Sequence, residues 1–151
     1  MKWITMFCFV LMLFGCSISQ QVDPVPRMET HNICIIENPD VRAGFIEAYR
    51  SALDSKGFQT KMLVKSSLPD DCPVTSSYTA NWRWDLLFYM AFADISVYTN
   101  GMRVGHAVYD SLGGSGNPAK FINAETKIRE LVDLLFPFSA TAERTTVAPA
   151  D

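Results

Sequence analysis

Asn100-Gly101 stands between two apolar runs and constrains the chain more than any other pair of residues. A two-residue hairpin turn needs positive φ at both central positions, and Asn-Gly supplies it at least cost. Upstream, Leu86 to Tyr98 is almost continuously apolar. Leu, Met and Ala would allow a helix over Leu86 to Ala93. The run ends in Ile95-Ser96-Val97-Tyr98 and meets the turn, so a long strand is the better reading. Met102 to Tyr109 is the returning strand, with Gly105 marking a bulge or a close approach. Before them, Val74 to Trp82 alternates, with Val74, Ser76, Tyr78, Ala80 and Trp82 on one face. Thr75, Ser77, Thr79 and Asn81 form the other face, expected towards solvent.

The first half predicts a β-α-β unit. Asn32 to Glu37 is a β-branched run, and Asn38-Pro39 reads as an N-cap followed by proline in the first turn. A helix to Lys56 would bury Val41, Phe45, Ala48, Tyr49, Ala52 and Leu53 on one face. Gly57 ends it, and Phe58 to Val64 is the second strand. Parallel strands joined by a helix follow. A second helix starts at Asn117-Pro118, buries Phe121, Ala124, Ile128, Leu131, Val132 and Leu135, and stops at Pro137. Lys120, Lys127, Arg129 and Glu130 fall on its solvent side. The order is β-α-β-β-β-β-α. Two helices with one apolar stripe each are best served by a two-layer α+β sandwich: one mixed sheet, both helices on one face.

The N-terminus sets location. Met1-Lys2, an apolar run from Trp3 to Phe14 and then Gly15-Cys16 read as a secretory signal, too short to span a bilayer stably. Leu13-Phe14-Gly15-Cys16 resembles the bacterial lipobox, with Phe14 larger than the pattern prefers. The resemblance implies a signal peptide over 1–15 and a diacylated Cys16 as the mature N-terminus. Ser17 after it favours sorting to the outer membrane, on the periplasmic face of a Gram-negative envelope. Residues 16–31, polar with Pro24 and Pro26, read as a lipidated tether. Residues 32–137 form the single globular domain, and the Ala/Thr/Pro-rich 138–151 a disordered tail.

The chain holds 151 residues with a formal net charge of −3 and no Lys/Arg cluster, which disfavours nucleic acid. Of its four cysteines, Cys8 leaves with the signal and Cys16 takes the lipid. Cys34 and Cys72 remain in an oxidising compartment and are expected to form a disulfide. No metal-ligand spacing surrounds them, so neither metal nor cofactor is expected.

Candidate sites each carry a structural alternative. Tyr78, Asn81, Trp82, Arg83, Trp84 and Asp85 form an aromatic hairpin tip suited to stacking and cation–π contact with a sugar, peptide or protein. Alternatively, one tryptophan packs in the core while Arg83 and Asp85 satisfy the turn. Gly113-Gly114-Ser115-Gly116 could cradle an anion, but it lacks the P-loop lysine and the dinucleotide spacing. His106 and Asp110, with Ser111 or Ser115, could suggest hydrolysis, but no nucleophile elbow is present. Asp94, inside an apolar run, is a further site if buried.

The string Tyr78-Thr79-Ala80-Asn81-Trp82-Arg83-Trp84-Asp85-Leu86, followed by Tyr89-Met90-Ala91 and Asn100-Gly101, resembles a family of small proteobacterial lipoproteins of the outer membrane. Tyr109-Asp110, Gly113-Gly114, Lys120-Phe121 and Lys127-Ile128 extend the resemblance over residues 33–137. It implies a lipid-anchored envelope protein and carries over no catalytic residue. The expected role is a non-enzymatic binding or assembly module, touching the membrane through its lipid and an envelope protein or small ligand through the tip. The competing expectations are an envelope hydrolase using His106 and Asp110, and a purely structural lipoprotein.

Overall fold

The computed structural model describes residues 18–64, 72–114 and 116–140. Six strands are present: β1 Ser19–Asp23, β2 Asn32–Ile36, β3 Gln59–Leu63, β4 Val74–Asp85, β5 Leu87–Thr99 and β6 Met102–Asp110. Among the described residues two α-helices join them, α1 Ala43–Ser55 and α2 Ala124–Leu135, with a 3-10 helix at Pro118–Phe121. The sheet order is β1-β6-β5-β4-β2-β3. β2 runs parallel to both β3 and β4, and the remaining pairs are antiparallel, so the sheet is mixed. From Asn32 onward the order is the expected β-α-β-β-β-β-α, with both helices on one face.

The core lies between sheet and helices. Phe45, Tyr49, Ala52 and Leu53 of α1 and Ile128, Leu131, Val132 and Leu135 of α2 cover Ile33, Ile35, Ala93, Ile95, Val97 and Ala107. Period two in the strands and period 3.6 in the helices make these stripes meet. On β4, Val74, Ser76, Tyr78 and Ala80 are buried, while Thr79 and Asn81 are exposed. The buried Tyr49 hydroxyl lies 2.8 Å from Ser76 Oγ, and Ser76 Oγ donates to Ser96 O at 3.2 Å. Burial pushes the Tyr49 phenol well above its ordinary pKa. A disulfide joins Cys34 to Cys72, with Cα atoms 6.1 Å apart. It ties β2 to the chain entering β4.

Both turns of the β4–β5–β6 meander depend on positive φ. Asn100 and Gly101 adopt φ of 50° and 79°, as the Asn-Gly signal requires. Gly105 marks both a bulge and a close approach. The β5–β6 register slips between Val97 and Tyr98, opposite Gly105 and Arg103. A Cβ on Gly105 would lie 2.3 Å from Val25 Cγ2.

Four expectations are corrected. Ser19–Asp23 is not tether but strand β1, paired antiparallel with β6 from Ser19↔Asp110 to Asp23↔His106. Its single apolar residue, Val22, gives no periodicity, so the pairing rests on backbone hydrogen bonds and on the segment behind it. There Val25 is buried and its N–H donates to Leu135 O at 2.8 Å. Secondly, α1 begins at Ala43 rather than at Pro39. Asn38 is spent on a turn and on β4: its Oδ1 accepts from Asp40 N at 3.2 Å and its Nδ2 donates to Tyr78 O at 3.0 Å. Thirdly, Asn117-Pro118 opens only the 3-10 helix, and Asn123 caps α2 by accepting from Thr126 N at 3.2 Å. Lys120 therefore leaves the α2 register and is buried, not solvent-facing. Lastly, the packed domain runs past 137. Phe138 sits edge-on to Phe58 and Phe136, and Ala140 N donates to Lys56 O at 2.8 Å.

A methyl group on Gly105 would overpack the contact between β6 and Val25. Gly105→Ala is expected to lower unfolding free energy by about 1–3 kcal/mol in urea titrations. Adding Val25→Ala should remove less stability from the Gly105→Ala protein than from the wild type, a coupling that a double-mutant cycle would measure.

Candidate functional site

The β4–β5 ladder is in regular register down to Asn81↔Phe92, where Ala91 is left over as a bulge. The carbonyl of Ala91 accepts from Ser111 N at 2.8 Å and from Ser111 Oγ at 3.1 Å. Beyond it the pairs are Trp82↔Met90, Arg83↔Tyr89, Trp84↔Phe88 and Asp85↔Leu87. β6 ends at Asp110, opposite Phe92, and β2 meets β4 only at Thr75 and Ser76. The last residues of β4 and the first of β5 therefore leave the sheet as a two-stranded finger. A bare two-stranded ribbon is marginal in water, so it must be braced.

Strand alternation puts Trp82, Trp84, Phe88 and Met90 on one face of the finger, and Arg83, Asp85, Leu87 and Tyr89 on the other. A cation braces each face. The Arg42 guanidinium, at the entrance to α1, lies 5.2 Å from the Phe88 ring centre and 5.8 Å from that of Trp82. Trp82 is half-buried and meets Phe45 edge-on at 6.4 Å; Phe45 stacks on buried Tyr78 at 5.2 Å. On the other face Lys120 Nζ pairs with Asp85 Oδ2. It also lies 5.5 Å from the Tyr89 ring centre and 5.1 Å from that of Phe121. Burial of Lys120 is tolerable because its charge is neutralised and its stem lies among rings. A shallow cleft between Asp85, Leu86, Pro118 and Phe121 marks where the 3-10 helix meets the finger.

The apex is apolar and open to solvent. Trp84 is 65% exposed, Leu86 81%, Leu87 62% and Phe88 66%. Leu86 makes the reversal alone, at φ 63°. An apolar residue in the left-handed region costs about 1 kcal/mol or more where Gly or Asn would cost almost nothing. Exposing its side chain adds a second cost. Neighbouring exposed apolar side chains of this kind make the apex a candidate contact surface.

Tyr78 and Trp82 thus belong to the base of the finger, Trp84 to its apex. Arg83, Asn81 and Asp85 are exposed, Asp85 being tied to Lys120. Sequence reasoning missed Arg42, Lys120 and the apex Leu86. Periodicity places Lys120 on the solvent side of α2 although it belongs to the 3-10 helix, and no spacing rule links Arg42 to a ring some forty residues later.

The Gly-rich loop forms no open cradle over its described residues. Gly114 is buried against Ile18, and its N–H donates to Ser111 O at 2.9 Å. Gly113 is exposed, and Ser115 lies outside the described residues. The helix that follows is four residues long and is already capped by Asn117, which accepts from Ala119 N at 2.9 Å.

His106 and Asp110 do not converge. His106 Nε2 bonds Asp94 Oδ2 at 2.9 Å, whereas Asp110 Oδ1 accepts from Leu112 N at 2.8 Å. Ser111 Oγ is committed to Ala91 O. Asp94 is on the helix-free face, not in the core, and its other oxygen receives Ser96 Oγ at 3.4 Å. Among the described residues, Ser96 lies opposite His106 but donates its hydroxyl to Asp94, so no hydrogen bond links a hydroxyl to a histidine. The described residues also hold no group of three or more His, Cys, Asp or Glu arranged for a metal ion, and no helix long and apolar enough to cross a membrane. Cys16 lies outside the described residues.

If the cation brackets hold the finger, Lys120→Met should loosen it selectively. Amide hydrogen exchange across residues 82–90 is expected to quicken by at least about tenfold, local opening being the least costly motion available. Amides of the β5–β6 ladder should keep their rates.

No known family model matches the chain, and no curated protein matches its sequence. Solved structures do resemble it. A dodecamer of a single-substitution PelC variant from Paraburkholderia phytofirmans superposes with a TM-score of 0.55 at 13% identity, covering 83% of this chain and 99% of that one. A second PelC dodecamer from the same organism gives 0.52 at 13% identity, covering 82% and 98%. At this identity the likeness establishes a shared fold.

Proposed function

We propose that the protein is a lipid-anchored module of the Gram-negative envelope, held through Cys16 at the periplasmic face of the outer membrane and acting by contact rather than catalysis. The observation that carries this reading is the braced finger, whose exposed Trp84, Leu86, Leu87 and Phe88 keep a costly apolar surface available. The signal-like N-terminus supplies the location. The Cys34–Cys72 disulfide is in keeping with an oxidising compartment. The hydrolase reading through His106 and Asp110 draws no support from the geometry, because His106 bonds Asp94 instead and the Ser96 hydroxyl opposite it donates to that same carboxylate.

Assembly with further copies is part of the reading. Its support is the likeness of nearly the whole fold to PelC, whose solved form is a dodecamer. An assembly of many copies needs more than one self-complementary or mutually complementary surface on the chain. This sheet has two different edges, β1 and β3, and a helix-free face bearing Thr79, Asn81, Asp94 and His106.

Labelled palmitate should enter the wild type and not Cys16→Ser; equal labelling would refute the anchor. Extracted in mild detergent, the lipidated chain should have the mass of a multi-copy assembly by light scattering. A monomer at every concentration would remove self-assembly from the proposal.

A further inference from the structure

We propose that the β4–β5 finger is a second membrane contact, with its apex seated in the interfacial zone of the leaflet that holds the Cys16 acyl chains. The proposal rests on the anchored reading above and names what its contact surface touches. Strand register carries the argument. Ser19 opens β1 opposite Asp110, Asp110 pairs with Phe92, and Phe92 pairs with Asn81. These four residues form one row across the sheet. The chain enters at this row, and from this row the finger projects in the direction from which the chain came. The anchor and the apolar apex therefore share one end of the molecule.

The lengths agree. From Asn81 to Asp85 the finger advances four residues, about 13 Å at strand rise. From Ser19 back to Cys16 is three residues, at most about 10 Å of extended chain. A lipid at Cys16 brings the row close to the bilayer surface, and the finger spans the remaining distance. The tether that the sequence suggested would have let the domain drift. Strand β1 forbids this, because Ser19–Asp23 is hydrogen-bonded into the sheet. Gln20 adds a link to α2: its Nε2 donates to Glu130 Oε1 at 2.9 Å, and its Oε1 accepts from Lys127 Nζ at 3.0 Å. Lys127 Nζ also donates to Glu130 Oε2 at 2.7 Å, and this bond, followed by that from Gln20, holds the Glu130 carboxyl below its ordinary pKa.

The chemistry of the apex suits an interface. Trp84 and Phe88 project from one face, Leu87 from the other beside Asp85, whose charge Lys120 pairs, and Leu86 lies at the end, so apolar side chains occur on both faces and the tip. A protein groove would cover one side, whereas a lipid surface covers them all. Exposed Arg83 and Arg42 sit just behind the apex, where phosphate headgroups would lie. A second copy is the weaker occupant. Cavities on other parts of the chain are lined by Glu47, Arg50 and Asp54 in one case, and by Asn32, Gln59 and Lys61 in another. Neither is a socket for Trp84 and Leu86.

The test uses the full-length lipidated chain carrying Trp82→Phe, which leaves Trp84 as the one tryptophan after signal removal. It is reconstituted into phosphatidylcholine/phosphatidylglycerol vesicles, with and without bromine on the upper acyl carbons. The brominated lipid should quench Trp84 emission at least twofold, with a blue shift relative to the detergent-free soluble Cys16→Ser form. A Leu86→Asp/Phe88→Asp pair added to the same chain should abolish the quenching while flotation with vesicles persists. Three outcomes overturn the proposal. Flotation with unquenched, solvent-like emission leaves the anchor standing and the finger in water. Blue-shifted but unquenched emission puts Trp84 against protein. Failure to float removes both the anchor and the proposal. Should Trp82→Phe unfold the domain, the comparison of wild type with Trp84→Phe reads the same contact, since only the former should lose emission to bromine.

Discussion

The ladder between Val74–Asp85 and Leu87–Thr99 is the interaction on which everything else hangs. These are the longest strands, and together they occupy the middle of the sheet. Their inner faces supply the floor of the core, so the stripes of α1 and α2 have only one place to be buried. On one side the ladder recruits β6 through the Asn100-Gly101 turn. On the other, β2 meets β4 near the Cys34–Cys72 disulfide. The same ladder continues past its neighbours and becomes the finger. Core floor and finger are two ends of one pair of strands.

Much of this was legible because the signals were local and periodic. Asn100-Gly101 fixed one hairpin through the φ that its residues tolerate, and alternation on β4 separated Tyr78 and Ala80 from Thr79 and Asn81 correctly. Leu86 to Ala93 has helix-forming composition but makes strand from Leu87 on, because pairing with β4, joined by β6 from Phe92, outweighs a propensity of a few tenths of a kcal/mol per residue. What stayed hidden was long-range. Ser19–Asp23 has no apolar period to betray it, and its partner comes near the end of the domain. Lys120 reads as a surface residue until Asp85, Tyr89 and Phe121 are brought around it.

The finger shows how a conflict between local preference and observed structure can point to a role. Leucine at a left-handed reversal, exposed to water, is a poor choice for stability twice over. Arg42 and Lys120 hold the ribbon in place around this choice. A disordered apolar loop would invite non-specific association, whereas a braced one presents a fixed shape. Trp82 and Trp84 divide the work between base and apex, although they sit two residues apart and share a face.

Strand β1 bears on how the molecule comes to be made. Synthesis delivers Ser19 early, yet its place beside Asp110 does not exist until the whole meander has emerged and folded. Closing so wide a loop is slow relative to the local hairpins. The sheet would then gain its β1 edge late, since that pairing closes the widest loop among its strands. An early intermediate would carry the unpaired rim of β6, and it is there that a chaperone or a sister chain would find its opening.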